Sequence, residues 1–157
     1  MQDHIEREID VKAPIGRVWT ALTDTREFGQ WFGMVLDGPF TVGKTVRGKR
    51  LNPELADAPW SAVPVEMSPQ SYFSLTWHPY THEVSVDYDA ETPTLVEFRL
   101  TPTTDGTRVQ VTESGFERLP VARKAKAFAA HEGGWPVVLG RLADHLAKDG
   151  LAVARVA

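Results

Sequence analysis

The sequence predicts an α+β domain: a curved antiparallel β-sheet of about six to seven strands wrapped around a long C-terminal helix, with two short helices after the first strand. Three observations carry this reading. The N-terminus alternates apolar and charged residues at period two, the stretch from Met34 to Gly115 is almost wholly β in pattern, and the last third repeats apolar residues at helical spacing.

In the first element, Ile5, Ile9 and Val11 share one face while Glu6, Glu8 and Asp10 take the other, the pattern of a half-buried strand. Arg7 is the one charged residue in the apolar phase. Ala13-Pro14 then opens a helix, because proline suits a first helical position, and Ile15, Val18, Trp19 and Leu22 fall on one face. Asp24-Thr25 starts a second short helix with Phe28, Trp31 and Phe32 as its apolar residues. Short runs rich in strand formers follow at Val35-Leu36, Thr45 to Leu51, Ala62 to Met67, Tyr72 to Trp77, Leu95 to Leu100 and Thr107 to Thr112. Gly38-Pro39, Ser68-Pro69-Gln70-Ser71 and Thr104-Asp105-Gly106 mark turns between them, and the segment from Asn52 to Trp60 reads as an exposed loop. Pro120 precedes a helical segment in which Val121, Ala125 and Phe128 share a face. Gly133-Gly134 is expected to stop or bend it, Trp135-Pro136 to restart it with Leu139, Leu142 and Leu146 on the stripe, and Gly150 to end it.

Composition narrows the function. The chain has 157 residues, 17 Lys+Arg against 21 Asp+Glu, a net charge of -4 and no cysteine. That length fits one domain, residues 1–157, able to fold without a staple. The missing thiols remove a disulfide scaffold, a thiolate zinc site, an iron–sulfur cluster and a cysteine nucleophile. The mild acidity speaks against a general nucleic-acid binder. No apolar run approaches a membrane span and the first residues lack a signal-peptide pattern, so a cytoplasmic location is expected.

Hairpin-connected strands imply an antiparallel sheet, and that sheet is the large apolar surface on which the Trp135/Leu139/Leu142/Leu146 stripe can be buried. Trp31-Phe32, the hairpin from Met67 to Trp77 and the strand from Thr94 to Leu100 resemble the SRPBCC, or START-like, superfamily. The segment from Thr107 to Phe116, with Gly133-Gly134-Trp135, Leu139 and Leu142, resembles its branch named for the C-terminal domain of activators of heat-shock-protein-90 ATPase. The resemblance runs from Ile5 to about Leu146. It implies a helix-grip fold with a hydrophobic cavity between sheet and C-terminal helix. The co-chaperones that name the branch carry a further N-terminal domain for which this chain, with Ile5 already in the first strand, is expected to have no room.

Candidate site residues follow from phase. Phe73, Leu75 and Trp77, then Val96, Phe98 and Leu100, then Val109 and Val111 should face inward. Trp31, Phe32, Trp77 and Trp135 suit a cavity wall, because wide rings cover area and an indole N–H supplies one polar contact; Phe98 and Leu139 complete the lining. Glu113 continues the inward phase of Val109 and Val111. A carboxylate there either reaches water at the rim or an ion pair, with Arg7 and Arg50 as possible partners, or it anchors a ligand or acts as a general base. His78 ends a strand next to Trp77 and is expected near the mouth. His78 and His82 are four apart but not on a helix, so no metal site is expected. His131 is placed at a helix end, His145 and His4 in solvent, and Arg118, Arg123, Lys124 and Lys126 on a basic face that is solvated or meets an anionic partner. Ser114-Gly115 lacks the flanking glycines of a nucleophile elbow, and no phosphate-binding glycine motif occurs, so no nucleotide cofactor is expected.

The expected function is binding of a small hydrophobic or lipid-like ligand, with Trp31, Phe32, Trp77, Phe98, Trp135 and Leu139 as lining and Glu113 or His78 as the polar contact. The alternatives are a cyclase, dehydratase or hydrolase of the polyketide-cyclase-like kind using Glu113 or His78 for proton transfer, and a chaperone-associated stress-response module. Neither a cofactor nor a nucleic-acid partner is expected.

Overall fold

The computed structural model describes residues 3–83 and 85–156, with side chains placed up to Asp149. Seven strands form one antiparallel sheet in the order β1-β7-β6-β5-β4-β3-β2. These are β1 (His4–Val11), β2 (Met34–Leu36), β3 (Val46–Arg50), β4 (Trp60–Ser68), β5 (Tyr72–Trp77), β6 (Thr94–Pro102) and β7 (Thr107–Ser114). Helices α1 (Ile15–Thr23) and α2 (Thr25–Phe32) follow β1, and α3 (Val121–Val156) packs across the concave face. The fold is the helix-grip α+β arrangement.

Local chemistry accounts for the joints. Asp24 caps α2 by accepting from the backbone N–H of Arg26 at 2.9 Å and of Glu27 at 3.2 Å. Gly33 ends α2 at φ 89°, the left-handed conformation that glycine adopts without steric cost. Pro64 interrupts β4, and the register with β5 shifts between Pro64 and Glu66, as expected where a residue cannot donate to the ladder. The β6–β7 turn closes through Thr103, whose hydroxyl accepts from the Gly106 N–H at 3.1 Å.

The α3 helix departs from the sequence expectation. It runs without a break through Gly133, Gly134 and Pro136 and continues past Gly150. Two glycines and a proline cost about 5 kcal/mol together in a helix interior. Burying Trp135, Leu139, Leu142 and Leu146 returns about 1.5–3 kcal/mol each, so packing outweighs propensity. Continuity also rotates the first half of the helix. Val121 and Ala125 are exposed, and the buried face is instead Ala127, Trp135 and Leu139 with His131 between them. Trp60, expected in a loop, is buried and begins β4.

Between sheet and helix the interior is filled by the protein's own rings. Phe73 stacks on Phe98 at 6.1 Å, Phe40 meets Phe73 and Phe28 at 5.2 Å each, and Phe98 meets Trp135 edge-on at 5.9 Å. Open volume lies at one end of the grip, where α2, β5 and α3 converge. At the other side α1, α2 and α3 are tied by Glu27, which takes Arg17 Nη2 at 2.7 Å and His145 Nε2 at 2.8 Å. His145 is therefore a buried partner and not a solvent residue. No helix among the described residues is long and apolar enough to cross a membrane.

Candidate functional site

The site grows from β7. Along that strand Thr107, Val109, Val111 and Glu113 are buried at every second position, so the pleat that builds the core also carries one carboxylate inward. Glu113 is 0% exposed. It is opposite Val96 on β6 and Ile5 on β1, which brings it under β5 and α3.

Four donors converge on it. Oε2 accepts from the Trp77 indole N–H at 2.8 Å and the Thr94 hydroxyl at 2.6 Å. Oε1 accepts from the Trp135 indole N–H at 2.9 Å and lies 2.6 Å from His131 Nδ1. Neither Arg7 nor Arg50 reaches it: Arg7 Nη1 donates to the Glu6 carbonyl, and Arg50 to the Ala58 carbonyl and the Thr81 hydroxyl. Burial alone would raise the Glu113 pKa, but the charge and hydrogen bond of His131, with the Thr94 and Trp77 donors, outweigh it and hold the carboxyl below its ordinary value. Glu113 is thus an ionised hub and not a rim residue. An ionised carboxylate only accepts, so His131 Nδ1 carries the shared proton and the ring presents Nε2 away from Glu113. Nε2 has no hydrogen-bond partner among the described residues and is not buried.

Above this hub lies an apolar slot of about 170 Å³, walled by Phe32, Trp77, Trp135 and Val138, with His131 and Gly134 at its edge. Trp77 and Trp135 stack at 5.7 Å with planes 16° apart, and Phe32 stands 5.6 Å from Trp77. The slot opens into a cleft of about 460 Å³ that shares Phe32, Trp77, His131 and Val138 with it. Arg50, His78, Tyr80 and Arg141 line this wider part. His78 Nδ1 is buried without a partner among the described residues; burial pushes its imidazole pKa down, against the opposing pull of Asp89 and Glu91. A depression of about 520 Å³ on the outer sheet face, beside Glu6, Glu8 and Arg99, has no aromatic wall. Among the described residues no group of three or more His, Cys, Asp or Glu side chains could hold a metal ion.

Of the residues singled out in the sequence, the structure brings Phe32, Trp77, His78 and Trp135 to the cleft wall. Glu113 lies directly beneath. Three are elsewhere. Trp31 is buried and donates its indole N–H to the Ala21 carbonyl at 2.8 Å, so its role is to lock α2 on α1. Phe98 and Leu139 are core residues behind Trp135. His131, Val138, Trp60 and Arg141 line the cleft and were not singled out for it. His131 lies four residues before Trp135, on the same helical face, a signal hidden once the helix is cut at Gly133. Arg123, expected on a basic face, is largely buried against Glu91 at 2.9 Å and the carbonyls of Pro79 and Tyr80, where it pins the segment after β5 to α3.

Comparison with known proteins agrees with this architecture. No curated protein matches the chain. Among solved structures, DynU16, a protein of the dynemicin biosynthetic locus, is 26% identical at a TM-score of 0.69; the match covers 93% of this chain and 48% of that one, so the chain spans about half of DynU16. Protein MLL2253 from Mesorhizobium loti is 22% identical, with a TM-score of 0.73 over 92% of this chain and 97% of that one. The Aha1 dimer from Colwellia psychrerythraea is 21% identical, with a TM-score of 0.69 over 92% and 96%. The model of one family, Activator of Hsp90 ATPase homolog 1-like protein, matches residues 12–147. With the helix-grip fold and a family match over most of its length, the chain belongs to the Activator of Hsp90 ATPase homolog 1-like protein family, within the SRPBCC superfamily.

Proposed function

We propose that this protein binds a small, largely apolar molecule in the slot formed by Phe32, Trp77, Trp135 and Val138. The observation that carries the reading is the pairing of an open aromatic slot with a fixed floor: the Glu113 hub ties β5, β6, β7 and α3 together, so the Trp77 and Trp135 walls are held before any ligand arrives. Members of the superfamily typically bind hydrophobic ligands, which supports it. A slot of about 170 Å³ suits one ring, since a cavity of about 150 Å³ takes benzene. The wider cleft leaves room for a second ring or a polar substituent.

The test is native mass spectrometry of the purified protein, paired with thermal-shift measurement against a panel of one- and two-ring compounds and fatty acids. A co-purifying or stabilising apolar compound, lost in a folded Val138→Asp variant, supports the reading. An empty protein with no stabilisation across the panel contradicts it.

One observation favours a second reading, proton transfer to or from a bound substrate. His131 presents an unpartnered Nε2 to the cleft while an ionised carboxylate holds Nδ1, an arrangement that orients an imidazole for proton transfer. In that case turnover of a bound ring compound would fall by at least about 100-fold in His131→Gln, with binding retained.

A further inference from the structure

We infer that the molecule taken by this cleft carries an oxyanion, and that Arg50 and Arg141 receive it: the ligand class is a ring-bearing oxyacid with one or two rings. The inference rests on the binding reading above and adds the ligand's charge to it.

The charge pattern of the cleft runs against that of the protein. The chain carries a net charge of -4, yet the wall of the 460 Å³ cleft holds two arginines, two histidines and no Asp or Glu. Arg17, Arg108 and Arg123 each have a carboxylate within salt-bridge distance; Arg50 and Arg141 have none among the described residues. Glu113, the buried acid beneath the slot, is engaged by its own four donors and pairs with neither arginine.

Arg50 is positioned without being neutralised. Nη1 donates to the Ala58 carbonyl at 3.2 Å and Nη2 to the Thr81 hydroxyl at 3.1 Å, both uncharged acceptors, while Nε has no hydrogen-bond partner among the described residues. Burial works against its charge and pushes its pKa down. An anion in the cleft would supply the missing countercharge at a guanidinium whose orientation is already fixed.

Arg141 reaches the same rim from α3. Its Nη1 lies 3.8 Å from the point a side chain on Gly33 would occupy. Gly33 in turn accepts from the backbone N–H of Leu51 at 3.0 Å, next to Arg50 in the chain. The positive field is felt nearby: burial first, then the charges of Arg50 and His131, lower the His82 pKa. The apolar slot and this cationic rim share one opening, which fixes the ligand's polarity along its length: ring in the slot, acid group toward Arg50 and Arg141.

The experiment is isothermal titration of 2-naphthoate, 2-naphthyl phosphate and the neutral 2-naphthamide into the full chain, and into Arg50→Gln, Arg50→Lys and Arg141→Gln. Far-UV circular dichroism checks each fold. At least one of the two acids should bind at least about tenfold tighter than the amide, as expected for charge-assisted pairing with guanidinium. That ratio should fall to within about threefold in each glutamine variant, and added salt should narrow it. Whichever acid binds better tells carboxylate from phosphate. Because Arg50 also ties the segments around Ala58 and Thr81, Arg141→Gln on the exposed side of the rim keeps the test decisive should Arg50 variants misfold. Equal binding of acids and amide, or an acid preference untouched by both glutamine variants, overturns the charge assignment and leaves the binding reading standing. No binding by any of the three compounds overturns both.

Discussion

Replacing Glu113 with glutamine should remove about 3–5 kcal/mol of stability, although the two side chains have nearly the same shape. Each carboxylate oxygen accepts from one indole N–H and one further donor: Trp77 and Thr94 on Oε2, Trp135 and His131 on Oε1. The amide must place its NH₂ on one side or the other. Thr94 can rotate its hydroxyl and His131 can change tautomer, but an indole nitrogen only donates, so either orientation sets NH₂ against an indole N–H. One buried donor pair left facing itself costs about 1–3 kcal/mol. The three remaining bonds pass from charge-assisted to neutral, about 0.5–1 kcal/mol each. Volume is conserved, so no cavity cost enters. Urea unfolding followed by far-UV circular dichroism is the right assay, because Trp77 and Trp135 fluorescence will itself respond. A loss of 3–5 kcal/mol corresponds to about 6–20 °C in Tm for a domain of this size. Trp135→Phe removes one indole donor and should make Glu113→Gln less harmful, with a coupling of about 1–2 kcal/mol in the double-mutant cycle. A loss under about 1 kcal/mol for Glu113→Gln, or strict additivity with Trp135→Phe, would refute the ionised hub.

The other expectations are simpler. Glu113 and Glu27 both have pKa values held below the ordinary carboxylate value of 4.5, so the stability they contribute is present above that pH and is lost as pH falls through their folded values. For Glu27, burial pushes upward but the hydrogen bonds from His145 and Arg17 prevail. Acid titration of the unfolding free energy should therefore show a steep loss below about pH 4.5, shallower in Glu113→Gln. Gly133→Ala should stabilise α3 by about 0.5–1 kcal/mol, since nothing stands near an added methyl and the helix is continuous there; a destabilisation in thermal melts would mean that the helix bends at this point. Asp24→Ala should cost about 1 kcal/mol through the lost cap of α2, measured by the same melts.

The sequence was most legible where one period governed. Strand β7 shows this best: counting by two from Val109 places Glu113 inward, and the fold delivers it there. The start of α2 at Asp24-Thr25 was equally local. What escaped was the continuity of α3. Gly133, Gly134 and Pro136 each weaken a helix on their own, and only the burial of Trp135, Leu139, Leu142 and Leu146 against the sheet shows that packing prevails. Cutting the helix there took His131 out of phase with Trp135. The true partner of Glu113 was thereby lost from view, and Arg7 and Arg50 stood in its place. Arg50 and Arg141 come from β3 and α3, far apart in the chain, and share a rim only through tertiary placement. The filled interior was not readable either, because Phe40 lies outside any strand or helix and reaches Phe28 and Phe73 only in the folded protein.

The most direct measurement of the central claim is a two-dimensional ¹H–¹⁵N spectrum of the indole N–H groups during titration with 2-naphthoate and 2-naphthamide. Trp77 and Trp135 wall the slot, Trp60 lines the adjoining cleft, and Trp31, hydrogen-bonded to Ala21, lines neither and serves as an internal control. Binding in the slot predicts saturable shifts of Trp77 and Trp135, smaller ones at Trp60, and none at Trp31. Shifts confined to Trp31, or no saturable change at Trp77 and Trp135 with either compound, would contradict the assignment of the slot as the binding site.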